Sequence, residues 1–250
     1  MIKFENVTKR FGTREILKGV NLEIERGKTT VIFGVSGGGK STIIKHIVGL
    51  LKPDQGSITV DGIRVDDADE VTLRSIRTKV GFLFQNGALF DSMNIRDNVA
   101  FPMKEHQNLT PKELEYKIDE KISMVGLDPK IVKSLYPEEL SGGMRKRVGL
   151  ARTLALEPQV ILYDEPTSGL DPVTSDFITQ MINRLRDEIG MTSVLISHDI
   201  GESYKAGDNF AMLFNGVIVE EGEKEHFWNS PNEVVQQFIH ARAEGPIAFH

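Results

Sequence analysis

Residues 34–41 read Gly-Val-Ser-Gly-Gly-Gly-Lys-Ser, which satisfies the spacing GxxxxGK[ST]. That spacing suits a phosphate cradle, provided an apolar strand precedes it and a helix follows. Glycines let successive backbone N–H groups converge on phosphate oxygens, and a helix N-terminus adds positive dipole. Lys40 supplies a point charge and Ser41 can ligate magnesium. A second chemical group is the adjacent pair Asp164 and Glu165, just past the apolar run Val160-Ile-Leu-Tyr163. Beside a phosphate loop, Asp164 can hold a magnesium shell while Glu165 faces the terminal phosphate and orients or deprotonates a water.

Gln85 and His198 are ordinary taken singly, but each follows an apolar run, as Gly34 and Asp164 do. Ligands of open α/β sheets bind at the C-terminal ends of strands, so all four positions fall where a ligand belongs. The segment Leu140-Ser141-Gly142-Gly143-Met144 opens a further helix, read as running to Pro158, with Ser141 as its N-cap. A glycine-rich helix start is another anion site, yet one triphosphate already has its phosphate loop. A reciprocal arrangement resolves this: two copies face head to tail and each lends its Ser141 helix to the other's nucleotide. The basic run Arg145, Lys146, Arg147 reads as a solvated face.

The elements that must position these residues are legible as well. Residues 30–33, 80–84, 160–163 and 193–196 are nearly continuous apolar runs, which suit strands buried on both faces. Between them lie helical stretches at 41–49 and 172–189. A further helix opens at Thr110-Pro111, where Thr110 and Glu113 have capping-box spacing. Alternating strand and helix predict a mostly parallel α/β sheet. Residues 2–7 and 20–24 alternate apolar with polar and predict an antiparallel edge sheet. Residues 87–157 break the rhythm and read as an inserted helical subdomain. Asn215-Gly216 joins 209–214 to 217–221 as a hairpin. A helix over 232–241 and the tail Gly-Pro-Ile-Ala-Phe-His close the chain.

Composition narrows the classes. The 250 residues carry 30 Lys and Arg against 36 Asp and Glu, a net charge of −6 and the wrong sign for gripping nucleic acid. No cysteine occurs, which excludes a thiol nucleophile, a CxxC redox pair and a thiolate zinc site. The N-terminal stretch shows no signal-peptide pattern, and no apolar run approaches the ~20 residues of a membrane span.

In order and spacing, the phosphate loop, Gln85, Leu140-Ser-Gly-Gly143, Tyr163-Asp-Glu165, Ser168-Gly-Leu-Asp171 and His198 resemble the nucleotide-binding subunits of ABC transporters, over nearly the whole chain. The resemblance implies a P-loop NTPase fold. A RecA-like core with an N-terminal antiparallel β part spans 1–86 and 158–225, a helical subdomain spans 87–157, and a C-terminal helix and tail span 226–250. It implies an ATPase using ATP and Mg2+, with Phe11 stacked on adenine and Ser36, Gly37, Gly38, Gly39, Lys40, Ser41 and Thr42 around the phosphates. Ser141, Gly142 and Gly143 would serve the partner's nucleotide and Asp171 would communicate across the dimer. Gln85 would join Ser41 and Asp164 in the metal shell and sense a permease, Glu165 would activate water, and His198 would steady the γ-phosphate. Met144 stands where the family usually has Gln, and Gly38 where Ser or another small residue is common; neither removes a catalytic group.

Gln85-Asn-Gly-Ala-Leu-Phe-Asp91-Ser-Met-Asn94, Pro166-Thr-Ser-Gly-Leu-Asp-Pro172, the Met144 signature and Gly245-Pro-Ile-Ala-Phe249 look like the Mla-type ATPases. That branch implies phospholipid transport between two bacterial membranes. The chain would sit at the cytoplasmic face of the inner membrane, with a permease, a small STAS-domain subunit and an MCE-domain lipid carrier. An apolar strip with Ala88, Leu89, Phe90, Met93 and Phe101 offers a grip for a permease helix, or packs core against subdomain. The ATPase of another ABC importer or exporter, and a non-transport ABC ATPase, remain open alternatives.

Overall fold

The computed structural model describes residues 1–248; Phe249 and His250 of the tail lie outside the described residues. The chain opens with β1 (Ile2–Phe11) and β2 (Arg14–Ile24), paired antiparallel as their alternation predicts. Next come β3 (Thr29–Gly34) and α1 (Lys40–Ile47), then β4 (Gln55–Val60), β5 (Ile63–Arg64), α2 (Glu70–Lys79) and β6 (Val80–Leu83). The helices α3 (Ile95–His106), α4 (Pro111–Met124), α5 (Pro129–Val132) and α6 (Gly142–Thr153) fill the middle of the chain. The last third runs β7 (Val160–Asp164), α7 (Pro172–Ile189), β8 (Thr192–Ile196), α8 (Ile200–Ala206), β9 (Asn209–Phe214), β10 (Val217–Glu223), α9 (Lys224–Trp228) and α10 (Glu233–Ile239).

Two sheets result. An antiparallel one has the order β2-β1-β4-β5, and a second has the order β10-β9-β3-β8-β7-β6, parallel except for the β10 edge. The apolar runs are continuous because alternate residues feed two different cores. Val31, Phe33, Ile161, Tyr163 and Leu195 face a cluster that includes Val99, Ile118 and Val148 of the middle helices. Ile32, Val160, Leu162, Val194 and Ile196 face α1 and the antiparallel sheet. Both faces are therefore dry, which a one-sided sheet would not require.

Three expectations need correction. The α6 helix stops at Thr153, well short of Pro158; a 3-10 turn at Leu154–Leu156 follows, and Glu157 takes φ +53. Thr153 Oγ1 bonds both Gly149 O and Phe82 O, anchoring that end to β6. The C-terminal segment holds two helices rather than one, and the chain after them is tied down at Ile247. Ile247 N–H donates to Gln237 Oε1 at 2.7 Å, Gln237 Nε2 donates back to Ile247 O at 3.0 Å, and both residues are buried. The basic run on α6 is solvated only at Arg145. Lys146 is buried, and Arg147 bonds Gly126 O and lies over the Phe177 ring.

Candidate functional site

The phosphate loop leaves β3 at Gly34, whose φ of +156° and neighbours admit no side chain. A Cβ there would sit 2.5 Å from Leu213 O on β9, the strand that pairs with β3. The loop re-enters helix at Gly39, φ +107°, which caps α1 with no side-chain acceptor. Helices α2, α3, α4, α6, α7 and α8 each begin on a side chain that accepts from their first-turn amides. The amides at the start of α1 are thus left for an external acceptor, which fits a phosphate.

Lys40 lies beneath this loop, 5% exposed, with Nζ donating to Gly34 O (2.7 Å) and Val35 O (2.9 Å). Burial pushes its ammonium down to about 8, against the pull of Glu165 and Asp164. Ser41 Oγ donates to Asp164 Oδ1 at 3.1 Å. Burial also raises the Asp164 carboxyl above the usual range, with the Ser41 bond opposing it and the Glu165 charge adding to it. The pair fits a divalent cation that keeps water and substrate oxygens as its other ligands. Among the described residues, no group of three or more His, Cys, Asp or Glu side chains could hold a metal alone, and Mg2+ characteristically needs no such cage. When bound there, Mg2+ would neutralise charge on the phosphates.

Glu165 has the left-handed conformation, φ +52, with its N–H donating to Ile196 O at 3.0 Å. Its carboxylate accepts from Gln85 Nε2 on Oε2 and from His198 Nε2 on Oε1, each at 2.9 Å. Burial first, and Lys40 second, hold the His198 imidazole below its ordinary value, so at neutral pH it is uncharged. An ionised carboxylate only accepts, so Nε2 carries the proton in this contact. Phe11, 48% exposed at the end of β1, has Lys9 Nζ 5.7 Å from its ring centroid.

A cleft of about 310 Å3 brings together Phe11, Ser36, Gly37, Gly39, Lys40, Ser41, Thr42, Glu165 and His198. Gly38 belongs to the same loop, donating its N–H to Val35 O at 3.1 Å. Gln85 does not line this cleft; its Nε2 is placed on Glu165, and 3.5 Å from Ser168 Oγ. Ser141, Gly142, Gly143 and Asp171 do not line this cleft; they belong to the adjoining starts of α6 and α7. A Cβ on Gly143 would lie 2.6 Å from Thr174 Cγ2, and one on Gly142 would lie 3.8 Å from Leu170 Cδ2. Ser141 Oγ accepts from Met144 N, and Asp171 accepts from Val173 N and Thr174 N. Phe90 and Phe101 of the apolar strip are exposed and pack edge-on at 5.0 Å, whereas Leu89 turns into the core.

Sequence reasoning missed Lys146. Its Nζ donates to Glu165 O at 3.3 Å and to Ser168 O at 2.5 Å. The signal was positional: Lys146 stands three and four residues before Gly149 and Leu150, both buried, and so shares their helix face.

The profile of the ABC transporter family matches residues 17–168. A probable ribonucleotide transport ATP-binding protein of Mycobacterium leprae is 43% identical over 246 residues, 98% of this chain and 70% of that protein. The intermembrane phospholipid transport system ATP-binding protein MlaF of Escherichia coli K12 is 38% identical over 249 residues, 100% of this chain and 92% of that protein. Among solved structures, a dimeric ATP-binding cassette in a post-hydrolysis state, bound to ADP and Pi, superposes with a TM-score of 0.83. It is 35% identical, and the match covers 90% of this chain and 99% of the cassette.

Proposed function

The chain belongs to the ABC transporter family and is an ATPase that uses Mg2+; from that premise we propose that two copies close head to tail on ATP to drive a membrane permease that moves phospholipid. Phe11 takes the adenine, the amides of Gly37, Gly39, Lys40, Ser41 and Thr42 with the Lys40 ammonium take the phosphates, and Ser41 and Asp164 hold the metal. Glu165, steadied by His198 and Gln85, accepts a proton from the attacking water. The observation that carries the dimer is the exposed helix start at Ser141 and Gly142, outside its own cleft: Ser141 Oγ caps Met144 N, and the N–H groups of Gly142 and Gly143 are the ones this reading offers to the partner's phosphate. The dimeric cassette similar to this chain supports the same arrangement.

The permease reading rests on exposed apolar surface beside Gln85. Leu50, Phe84, Phe90 and Phe101 are exposed, and Leu50 and Phe84 line a cleft of about 280 Å3 together with Arg77, Pro102 and Arg152. Among the described residues no helix is long and apolar enough to cross a membrane. The reading places this chain at the inner face of the inner membrane through its permease. The phospholipid cargo is supported by the end-to-end match to MlaF, and the proposal adds STAS-domain and MCE-domain partners. A second reading, ribonucleotide cargo, is favoured by the name of the mycobacterial relative.

Gentle extraction of the tagged chain from native membranes separates these readings. The proposal expects a permease, STAS-domain and MCE-domain proteins and enriched phospholipid. A permease with bound ribonucleotide discards the lipid cargo, and recovery of ribosomes or repair proteins without any permease overturns transport.

A further inference from the structure

Lys146 is a buried cation without a carboxylate partner among the described residues: its two acceptors there are main-chain carbonyls at either end of one tight turn. Glu165 O and Ser168 O close around Pro166 and Thr167, and Ser168 N–H itself donates to Glu165 O at 3.2 Å. That turn sets the left-handed backbone of Glu165, a conformation that costs on the order of 1–3 kcal/mol for a residue with a side chain and persists only when its surroundings hold it. On one side it is held by the bond from Glu165 N to Ile196 O on β8. On the other it is held by Lys146 alone among the side chains of α6.

The far end of the same helix is Ser141. Lys146 lies five positions after Ser141, about 7.5 Å along a rigid helix, so a shift of the helix start carries Nζ with it. We propose that Lys146 is a positioning residue that ties each subunit's Glu165 to the helix serving the other subunit's nucleotide, so that a carboxylate reaches its water-activating pose only when the opposite nucleotide is in place. This rests on the reciprocal dimer and on the role given to Glu165 above. Burial that lowers the ammonium of Lys146 agrees with a group held for its geometry rather than for solvent-exposed charge.

The test uses the full chain with Lys146→Met and Lys146→Arg, measuring kcat and KM for ATP and thermal unfolding. The same substitutions are placed in a Glu165→Gln background to follow the ATP-bound dimer by light scattering. Lys146→Met is expected to lower kcat by about 10- to 100-fold, the scale of a misplaced reacting group, while KM and dimer formation stay near wild type. Lys146→Arg, which keeps a donor for both carbonyls, is expected to restore most of kcat. Unchanged kcat in Lys146→Met overturns the proposal, as does a loss that Arg does not rescue and that tracks the unfolding temperature. Should the Met variant fail to fold, Lys146→Leu, which also lacks a donor, replaces it, and equal kcat with Lys, Arg and Leu overturns the proposal equally. A Glu165→Gln chain that stays monomeric with ATP instead refutes the reciprocal dimer, leaving the two failures distinct.

Discussion

Lys40 is held at a cost to the nucleotide-free fold, and the cost can be measured. Its ammonium is pushed from 10.5 to about 8 by burial, and at ~1.36 kcal/mol per pH unit that difference is worth about 3 kcal/mol. The sign follows from proton counting. Between about 8 and 10.5 the unfolded chain binds the proton and the folded chain releases it, so stability rises with pH across that window and carries the full penalty below it. Lys40→Met removes the titrating group and hence the slope. Wild type and Lys40→Met are to be unfolded in urea at pH 7.0 and 9.5 without nucleotide. Trp228, the single tryptophan, packs 4.6 Å from Phe210 and serves as the probe. Relative to the variant, wild type is expected to gain about 2 kcal/mol between the two pH values. A difference that does not change with pH would refute the argument that burial, rather than pairing, dominates at Lys40.

Other consequences are local. Gly34→Ala puts a Cβ against Leu213 O and is expected to cost about 1–3 kcal/mol, read as a lower urea midpoint, with weaker ATP binding as the loop is displaced. An unchanged midpoint would contradict the close approach of loop and β9. His198 is uncharged at neutral pH, and protonation draws the Glu165 carboxylate into an ion pair that weakens it as a base. ATPase activity is therefore expected to fall on the acid side with a midpoint below 6.5, and His198→Gln to lack that limb. A wild-type midpoint above 7 would run against the burial of the ring.

The parallel strands were readable because burial on both faces writes a continuous apolar run, as at Val31, Ile32 and Phe33. The site was readable for a related reason: Gly34, Gln85, Asp164 and His198 each follow such a run, and the sheet brings its strand ends together. The strand β4 was not seen, since Gln55-Gly-Ser-Ile-Thr-Val60 alternates too briefly and carries Gly56. Lys146 was hidden by its neighbours Arg145 and Arg147, because charge in a run suggests solvent and only tertiary packing decides which cation turns inward. The pose of Gln85 on Glu165 was equally out of reach, being a choice of rotamer among partners that come from three separate strand ends. The clasp between Gln237 and Ile247 rests on a buried amide meeting a main chain ten residues on, a match that no spacing rule announces.

The central claim is that one chain holds half of each working site, with Glu165 acting on water in a closed pair. Glu165→Gln keeps the shape of the side chain and one of its two acceptor oxygens while removing the base, a step worth about 10²–10⁴ in rate. Light scattering of this variant with ATP and Mg2+ is expected to give twice the 27.9 kDa mass of the chain, with turnover nearly abolished. A monomer that carries bound ATP, or a variant that still hydrolyses at the wild-type rate, would contradict the account.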